Sequence, residues 1–326
     1  MKAQIIPHFG DMDATTITYE EIKEKIDTLD LSQKYLQDIK LTLKLIFDVV
    51  IADKLRTDNP AQKLKITNAK KSLGIEIEHL EQNRQEVWLD IFEQDKRQWV
   101  LLFETILLTG ARPEEGCGFK WSAMDFENDI VHIRNAYKDW EIYDDDLNII
   151  GHERGDADLK TPESYRDLPM HPRLKRLLLQ IKSERMEQYR KIGKKWNEDG
   201  YIFLNQKNEP FISDSLSKKM PKFIKQYKLE HLTTYGLRHS FATLCSTLGM
   251  PPEVLHIIMG HSDFDTTRKY YIHITEERKR NEMFKLYKQQ INEPDLKRLI
   301  EQNDAYYDKI INLSSRDIIP KGTLAS

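Results

Sequence analysis

Apolar residues in the first part of the chain recur at the three- and four-residue steps of an amphipathic helix. The clearest series is Leu36, Ile39, Leu43, Ile46, Phe47 and Val50. It predicts one helix with an apolar stripe, and Ser32 is its expected N-cap. A shorter charged helix is expected from Tyr19, and Asn59-Pro60 ends the helical region because the residue before proline disfavours helical backbone angles. The pattern predicts a flexible leader at 1–16 and a small helical domain at 17–66.

The pattern changes after a polar connector at 67–76, which is predicted to be a linker. Residues 99–108 (WVLLFETILL) are apolar on nearly every side, which indicates a buried helix that ends at Gly110. Further helices are expected near 81–93, 172–193 and 214–227. Strands are expected where polarity alternates, at 130–134 and from Lys160 onward, with a loop or extended hairpin at 137–158. The fold class is therefore mainly α, with a mixed, mostly helical second domain at 77–292 that contains a small β-sheet. The tail at 293–326 is a candidate contact between protomers.

The composition is that of an ordinary globular protein. The 326 residues are 39% hydrophobic and 32% charged, as in a globular protein, and the net charge is −3. No run approaches a membrane span and the first residues lack an apolar signal region, so a cytoplasmic protein with no membrane partner is expected. Cys117 and Cys245 lie far apart without metal-ligand spacing, so neither a disulfide framework nor a metal site is predicted.

An acidic net charge argues against a uniformly basic surface that coats nucleic acid, but local charge matters more than the sum. Lysines that are candidates for contact with DNA occur on the first long helix and in the connector; they are Lys34, Lys40, Lys44, Lys70 and Lys71. The helix lysines have two interpretations, a solvated polar face or a face laid against phosphates. Acidic clusters at 144–146 and 156–158 are expected to lie away from any surface that faces DNA.

Five positions spread along the second domain suit phosphoryl transfer: Arg112, Lys160, Arg238, His261 and a tyrosine just beyond it. Arg112 follows the buried helix and needs an anionic partner, either Glu115 or a bound phosphate. Arg112 and Arg238 can each bind two phosphate oxygens without losing charge. A tyrosine of the pair Tyr270-Tyr271 can attack phosphorus if nearby cations help to remove its proton, and Lys160 can protonate a leaving oxygen.

Four segments that carry these residues resemble, in order, the motifs of the tyrosine recombinase family of phage integrases and their chromosomal relatives. They are TGARPEEG, LKTPESYRDLPM, LRHSFAT and MGHSDFDTTRKYYIH. The resemblance implies that Arg112 and Arg238 are catalytic arginines supported by Glu115, that Lys160 is the leaving-group acid, and that His261 contacts phosphate. It covers about 20–290 and also implies that 17–66 is a core-type DNA-binding domain.

Two features of these motifs leave alternatives. The family context Tyr-x-His favours Tyr271 as the nucleophile, with Tyr270 packed under the terminal helix; the spacing from His261 also allows Tyr270. Where the family commonly has histidine three residues before the second arginine, this chain has Tyr235, a hydrogen-bond donor but a poor base near neutral pH. His239 is expected to be a structural core histidine.

The resemblance therefore implies a site-specific DNA recombinase that cleaves and rejoins strands through a 3′-phosphotyrosyl link. Its expected partners are double-stranded DNA and further copies of itself, as a tetramer on two DNA sites or as a dimer or monomer when free, and no cofactor is expected. The alternative, motivated by Tyr235 and the acidic charge, is a regulator that keeps the fold and binds specific DNA without cleaving it.

Overall fold

The computed structural model describes residues 2–67, 78–144 and 148–271 of the chain. They fall into two compact units, one on each side of the boundary between residues 77 and 78. Most described residues are helical, and the strands are short, as the predicted fold class requires. No helix within the described residues is long and apolar enough to cross a membrane.

The N-terminal unit is a cluster of helices: α1 (Lys2–Phe9), α2 (Tyr19–Asp27) and α3 (Gln33–Ala52). Thr18 and Glu21 form a reciprocal capping box at the start of α2, and Ser32 caps α3 through the backbone N–H of Tyr35. The core combines Ile22 and Ile26 with one face of α3, formed by Leu36, Ile39, Leu43 and Phe47. The helix starts predicted at Tyr19 and after Ser32 are thus confirmed.

Two expectations for this unit are corrected. The leader at 1–16 is not simply flexible, because α1 forms there and Phe9 is buried in the core of the unit. Ile46 lies at the edge of the apolar stripe and is exposed.

The outer face of α3 is less polar than the lysines suggested. Lys34 is exposed, whereas Lys40 and Lys44 are half-buried. Three apolar side chains one turn apart are exposed on this helix: Leu41, Leu45 and Val49. Lys70 and Lys71 lie outside the described residues, as do most of the predicted linker at 67–76 and the tail at 293–326.

The second unit is built around α5 (Gln98–Thr109), in which nine residues are buried. Gly110 ends it with φ +63°, as predicted. The remaining helices are α4 (Gln82–Gln94), α6 (Pro113–Cys117), α7 (Pro172–Lys191), α8 (Ser213–Tyr227), α9 (Thr234–Thr247), α10 (Pro252–Met259) and α11 (Phe264–Arg268). Helices α4, α5 and α8 share an aromatic core in which Trp88, Phe92, Phe103 and Phe223 pack edge to face or stacked.

Two antiparallel sheets flank the helices. One contains β1 (Met124–Asp125), β2 (Ile130–Ile133) and β5 (Arg166–Pro169), with β2 in the middle. The other is the hairpin of β3 (Ala136–Tyr143) and β4 (Ile149–Ala157). The alternation predicted at 130–134 is confirmed, since Val131 and Ile133 are buried. Lys160 does not begin a strand: it lies between β4 and β5, before a 3₁₀ turn at Pro162–Ser164.

Candidate active site

Arg112 lies at the N-terminus of α6, directly after the end of α5. Its backbone N–H and its Nη1 donate to the two carboxylate oxygens of Glu115 at 2.8 and 2.7 Å. Its Nη2 donates to the carbonyl oxygen of Gly260 at 2.6 Å. Glu115 is thus the partner within the protein, and the Arg112 side chain still keeps 26% of its surface exposed. An arginine held on one side and open on the other can bind an oxyanion.

A second guanidinium, which sequence reasoning missed, shares the same carboxylate. Arg166 in β5 is 5% exposed, and its Nη2 donates to Glu115 at 2.9 Å. Burial by itself would raise the pKa of Glu115, but Arg166, then Arg238 and Arg112, outweigh burial and hold that pKa below its usual value. The sequence does contain a signal for Arg166. Ser164, Arg166 and Leu168 alternate along this segment and are all buried, so Arg166 lies on the face that points into the protein.

The C-terminal end of α10 fixes all three arginines. The carbonyl oxygens of residues 258–260 accept hydrogen bonds from Arg166, Arg238 and Arg112, respectively. Carbonyls at a helix C-terminus lack partners within the helix and carry the negative end of its dipole, so they suit cations. Gly260 has φ +59°, and a Cβ there would lie 2.9 Å from Arg166 Nη1. Both its backbone angle and this close approach therefore favour glycine.

Arg238 is the most deeply buried of the predicted catalytic cations. It is 3% exposed and also donates to the Gly110 carbonyl at 2.7 Å. Burial lowers the pKa of Arg238 to about 9, opposed by Glu115. It therefore stays protonated at neutral pH and supplies a fixed positive charge next to Arg112.

His261 follows the same helix end and is 7% exposed. Its Nδ1 lies 2.8 Å from the Thr267 hydroxyl. Burial, followed by the charges of Arg238 and Arg112, lowers the pKa of His261 to about 3. The imidazole is therefore neutral at neutral pH and can offer one N–H to a phosphate oxygen without adding charge.

The two adjacent tyrosines are held differently. Tyr271 is 8% exposed, its ring packs among apolar residues of α9 and α10, and its hydroxyl donates to the Met250 carbonyl at 2.7 Å. The Tyr270 ring lies parallel to that of His261, with 6.5 Å between ring centroids, and its hydroxyl bonds to Nδ1 of His239. Tyr271 fills the apolar space between the two helices, and Tyr270 packs against the same cluster but is only partly buried. The terminal helix under which Tyr270 was expected to pack lies outside the described residues.

The environment of Tyr270 is polar and partly buried. Burial raises the pKa of Tyr270 to about 12, and Arg238 opposes that rise. Burial, followed by the charge of Arg238, lowers the pKa of His239 to about 4, so this imidazole is neutral at neutral pH. His239 is thus more than the structural core residue expected from sequence, because it holds the Tyr270 hydroxyl.

A cleft of about 1140 Å³ brings together Arg112, Lys160 and Tyr235. Lys160 is exposed, on the turn after β4. The Tyr235 hydroxyl donates to the carboxylate of Glu114, whose oxygens lie 3.0 and 3.1 Å away. Sequence reasoning did not single out Glu114, although it lies two residues after Arg112 in the same motif.

Acidic side chains line this cleft as well. Besides Glu114 and Glu115 they are Asp139, Glu141, Asp158 and Asp214. Asp158, from the acidic cluster at 156–158, therefore lines the same cleft as Lys160. Part of this charge is compensated: Arg154 donates to Asp139 at 2.8 Å. No group of three or more potential metal ligands occurs among residues 2–67, 78–144 and 148–271.

The chain is similar in sequence to known proteins. A model of the phage integrase family matches residues 76–278. The transposase from transposon Tn916 of Enterococcus faecalis is 30% identical over 275 residues, which are 79% of this chain and 63% of that protein. The chain thus spans less than two thirds of the length of that relative. The ICEBs1 integrase of Bacillus subtilis is 24% identical over 276 residues, with 83% and 70% covered.

Solved structures show the same fold. The integrase of transposon Tn1549, determined in complex with a circular intermediate DNA, superposes with a TM-score of 0.63 at 24% identity and covers 83% of this chain and 86% of that one. A lambda integrase dimer bound to a core site gives a TM-score of 0.53 at 16% identity, with 82% and 84% covered.

Proposed function

Because the chain belongs to the phage integrase family, we propose that it is a site-specific DNA recombinase that cleaves and rejoins strands through a 3′-phosphotyrosyl intermediate. One observation carries the proposal. The C-terminal end of α10 gathers Arg112 and Arg238 next to His261, and Arg112 also lines the cleft that contains Lys160.

Each side chain has a role in this reaction. Arg112 and Arg238 neutralise the non-bridging oxygens of the scissile phosphate as negative charge increases in the transition state. His261 donates a further hydrogen bond. A tyrosine oxygen attacks phosphorus, the bond to the 5′ oxygen breaks, and Lys160 gives that oxygen a proton. The 5′ hydroxyl of a partner strand then reverses these steps, so the energy of the broken bond is conserved in the covalent link.

Two arguments bear on which tyrosine attacks. The Tyr-x-His context favours Tyr271, but its hydroxyl would first have to leave the Met250 carbonyl. The position of Tyr270 supports Tyr270 instead, because its hydroxyl is bonded to a neutral imidazole and its ring lies beside His261. We assign the attack to Tyr270.

The test uses nicked duplexes made from DNA that flanks the gene of this protein. Cleavage near the nick releases a short fragment, so a covalent protein–DNA adduct accumulates and survives SDS electrophoresis. Adduct should form with the wild type and Tyr271→Phe, and disappear with Tyr270→Phe. Tyr189→Phe, on α7 outside the cleft, is the matched control. Loss of adduct in Tyr271→Phe but not in Tyr270→Phe would return the assignment to Tyr271.

The partners are part of the same proposal. Double-stranded DNA is the substrate, and Lys34 with its neighbours on α3 is proposed to contact its phosphates. Four protomers are proposed to act on two DNA sites, with a dimer or monomer in the absence of DNA. Sedimentation with and without the cleaved duplex measures the number of protomers in each state.

A DNA-binding regulator is the second candidate, and one observation favours it. Tyr235 occupies the place of the usual histidine and faces a carboxylate, in a cleft that other acidic residues also line. Specific binding without adduct in both the wild type and Tyr235→His would support the regulator. Adduct formed by the wild type would exclude it.

A further inference from the structure

The pair Tyr235–Glu114 lies in the cleft but has no part in the steps assigned to the arginines, His261 and Lys160. Tyr235 lies in the first turn of α9, and Glu114 lies in α6. The hydroxyl is 3.0 and 3.1 Å from the two carboxylate oxygens, and both residues line the cleft with Arg112 and Lys160. Any role of this pair in strand cleavage rests on the proposed recombinase function.

The bond to Glu114 determines what the Tyr235 hydroxyl can do. A phenol has one proton, and a carboxylate only accepts, so the proton of Tyr235 points to Glu114. Only the lone pairs of the Tyr235 oxygen are then left to bond with another group, as hydrogen-bond acceptors. While this bond lasts, Tyr235 cannot donate to a phosphate oxygen. It can accept a hydrogen bond from another hydroxyl.

Tyr235 also stays neutral. Burial, followed by the charge of Glu114, raises the pKa of Tyr235 above its usual range, and Arg238 and Arg112 only partly oppose this. A neutral phenol is not a base by itself. It can pass a proton on only if it gives up its own proton in the same step, and Glu114 is positioned to take it.

The helix places this pair near the attacking residue. Tyr235 and His239 are four residues apart on α9, so they lie one turn apart on the same face, with Cβ atoms about 5–6 Å from each other. The Tyr270 hydroxyl is bonded to His239. The Tyr270 hydroxyl is therefore held by a residue that lies one turn of α9 from Tyr235.

We propose that Tyr235 and Glu114 form a proton relay that replaces the missing histidine. As the oxygen of the attacking tyrosine leaves His239 and bonds to phosphorus, its proton passes to the Tyr235 oxygen, and the Tyr235 proton passes to the Glu114 carboxylate. The 5′ oxygen leaves with a proton from Lys160. Rejoining runs the same transfers backwards, so the relay ends as it began. Tyr235 is then a catalytic residue, and Glu114 is the positioning residue that directs and receives its proton.

Glu114 should have opposite effects on binding and on chemistry. A carboxylate in the cleft repels the scissile phosphate, so its removal should leave the affinity for DNA unchanged or increase it. The same removal takes away the proton acceptor. A residue with a merely structural role would not separate these two measurements in this way.

The experiment measures DNA affinity and the single-turnover rate of adduct formation on the nicked duplex, with the full chain. Glu114→Gln keeps the size of the side chain and an oxygen that accepts the Tyr235 proton in a hydrogen bond, but it does not take up that proton. Glu114→Gln and Tyr235→Phe should each slow cleavage about a hundredfold, the lower range for loss of proton transfer. The double variant should be no slower than either single variant. The control is Tyr227→Phe, which removes a tyrosine–carboxylate hydrogen bond of similar length, to Asp95, outside the cleft.

A histidine at position 235 provides the decisive comparison. An imidazole accepts the proton itself, so Glu114→Gln should change the rate less than about threefold in a Tyr235→His background, compared with about a hundredfold in the wild type. If Glu114→Gln cleaves at the wild-type rate, or slows both backgrounds equally, the relay is refuted while the recombinase function stands. If the wild type itself forms no adduct, the proposed function fails and the relay fails with it.

Discussion

Replacing Arg166 with methionine tests whether the arginine cluster is held together by one buried carboxylate. The side chain is 5% exposed and donates to Glu115, to the Ser164 carbonyl at 2.8 Å and to the Ile258 carbonyl at 2.6 Å. Methionine fills much of the same volume but provides no charge and no donor. Among the described residues, Glu115, itself 2% exposed, would keep Arg112 alone as a direct ion-pair partner.

The expected cost is large for a single substitution. Removal of one partner from a buried ion pair costs about 3–5 kcal/mol, because the remaining charge stays desolvated. The control is Arg185→Met, which also removes a buried arginine that donates to the Tyr201 carbonyl and to Gln98 but leaves no carboxylate behind. That substitution removes hydrogen bonds and a cation–π contact with Trp121 but takes no ion-pair partner from a buried carboxylate, so about 1–3 kcal/mol is expected.

Urea unfolding of the full chain at several pH values separates the two effects. The folded-state pKa of Glu115 is below its unfolded value, so its contribution to stability is complete above the unfolded pKa of about 4.3 and is lost as the pH falls through the folded pKa. Without Arg166, burial dominates and the pKa of Glu115 rises. Arg166→Met should therefore lose less free energy of unfolding, relative to the wild type, as the pH falls from 7 towards 4, whereas the loss in Arg185→Met should not change in this way. The reasoning is refuted if the loss in Arg166→Met equals that in Arg185→Met or does not depend on pH.

Three further substitutions probe the same site. Gly260→Ala should lower the free energy of unfolding by more than Gly193→Ala, as measured by chemical denaturation. Both residues have positive φ, so both substitutions cost about 1–2 kcal/mol, but only at Gly260 would the new methyl group also meet Arg166. His261→Gln should reduce the loss of stability on acidification from pH 6.5 to 4, because the lowered pKa of His261 makes the unfolded state bind a proton in that range while the folded state does not; an unchanged loss would contradict the neutral imidazole. Lys160→Ala should slow adduct formation about 10²–10⁴-fold on an ordinary duplex, and a duplex with sulfur in place of the 5′ bridging oxygen should restore much of the rate, because a thiolate leaves without a proton; no restoration would remove Lys160 from the role of acid.

Local signals in the sequence were sufficient for most elements of the fold. The periodicity of α3, the capping residue Ser32 and the apolar run that ends at Gly110 depend on neighbouring residues, and the structure has them as predicted. The alternation at 130–134 likewise gave β2. Where local signals were weak, as at 1–16, the outcome depended on burial against the rest of the unit, since Phe9 lies in its core.

The sequence by itself identified Arg112, Lys160, Arg238, His261 and the tyrosine pair as candidate site residues, because they stand in recognisable motifs. Only the tertiary structure decided how they meet. Three consecutive carbonyls at the end of α10 fix the arginines, Arg166 shares Glu115, and Tyr235 faces Glu114. These contacts join residues far apart in the chain, and no local pattern encodes them. The orientation of the two adjacent tyrosines was decided in the same way, by the apolar space that only one of the two rings fills.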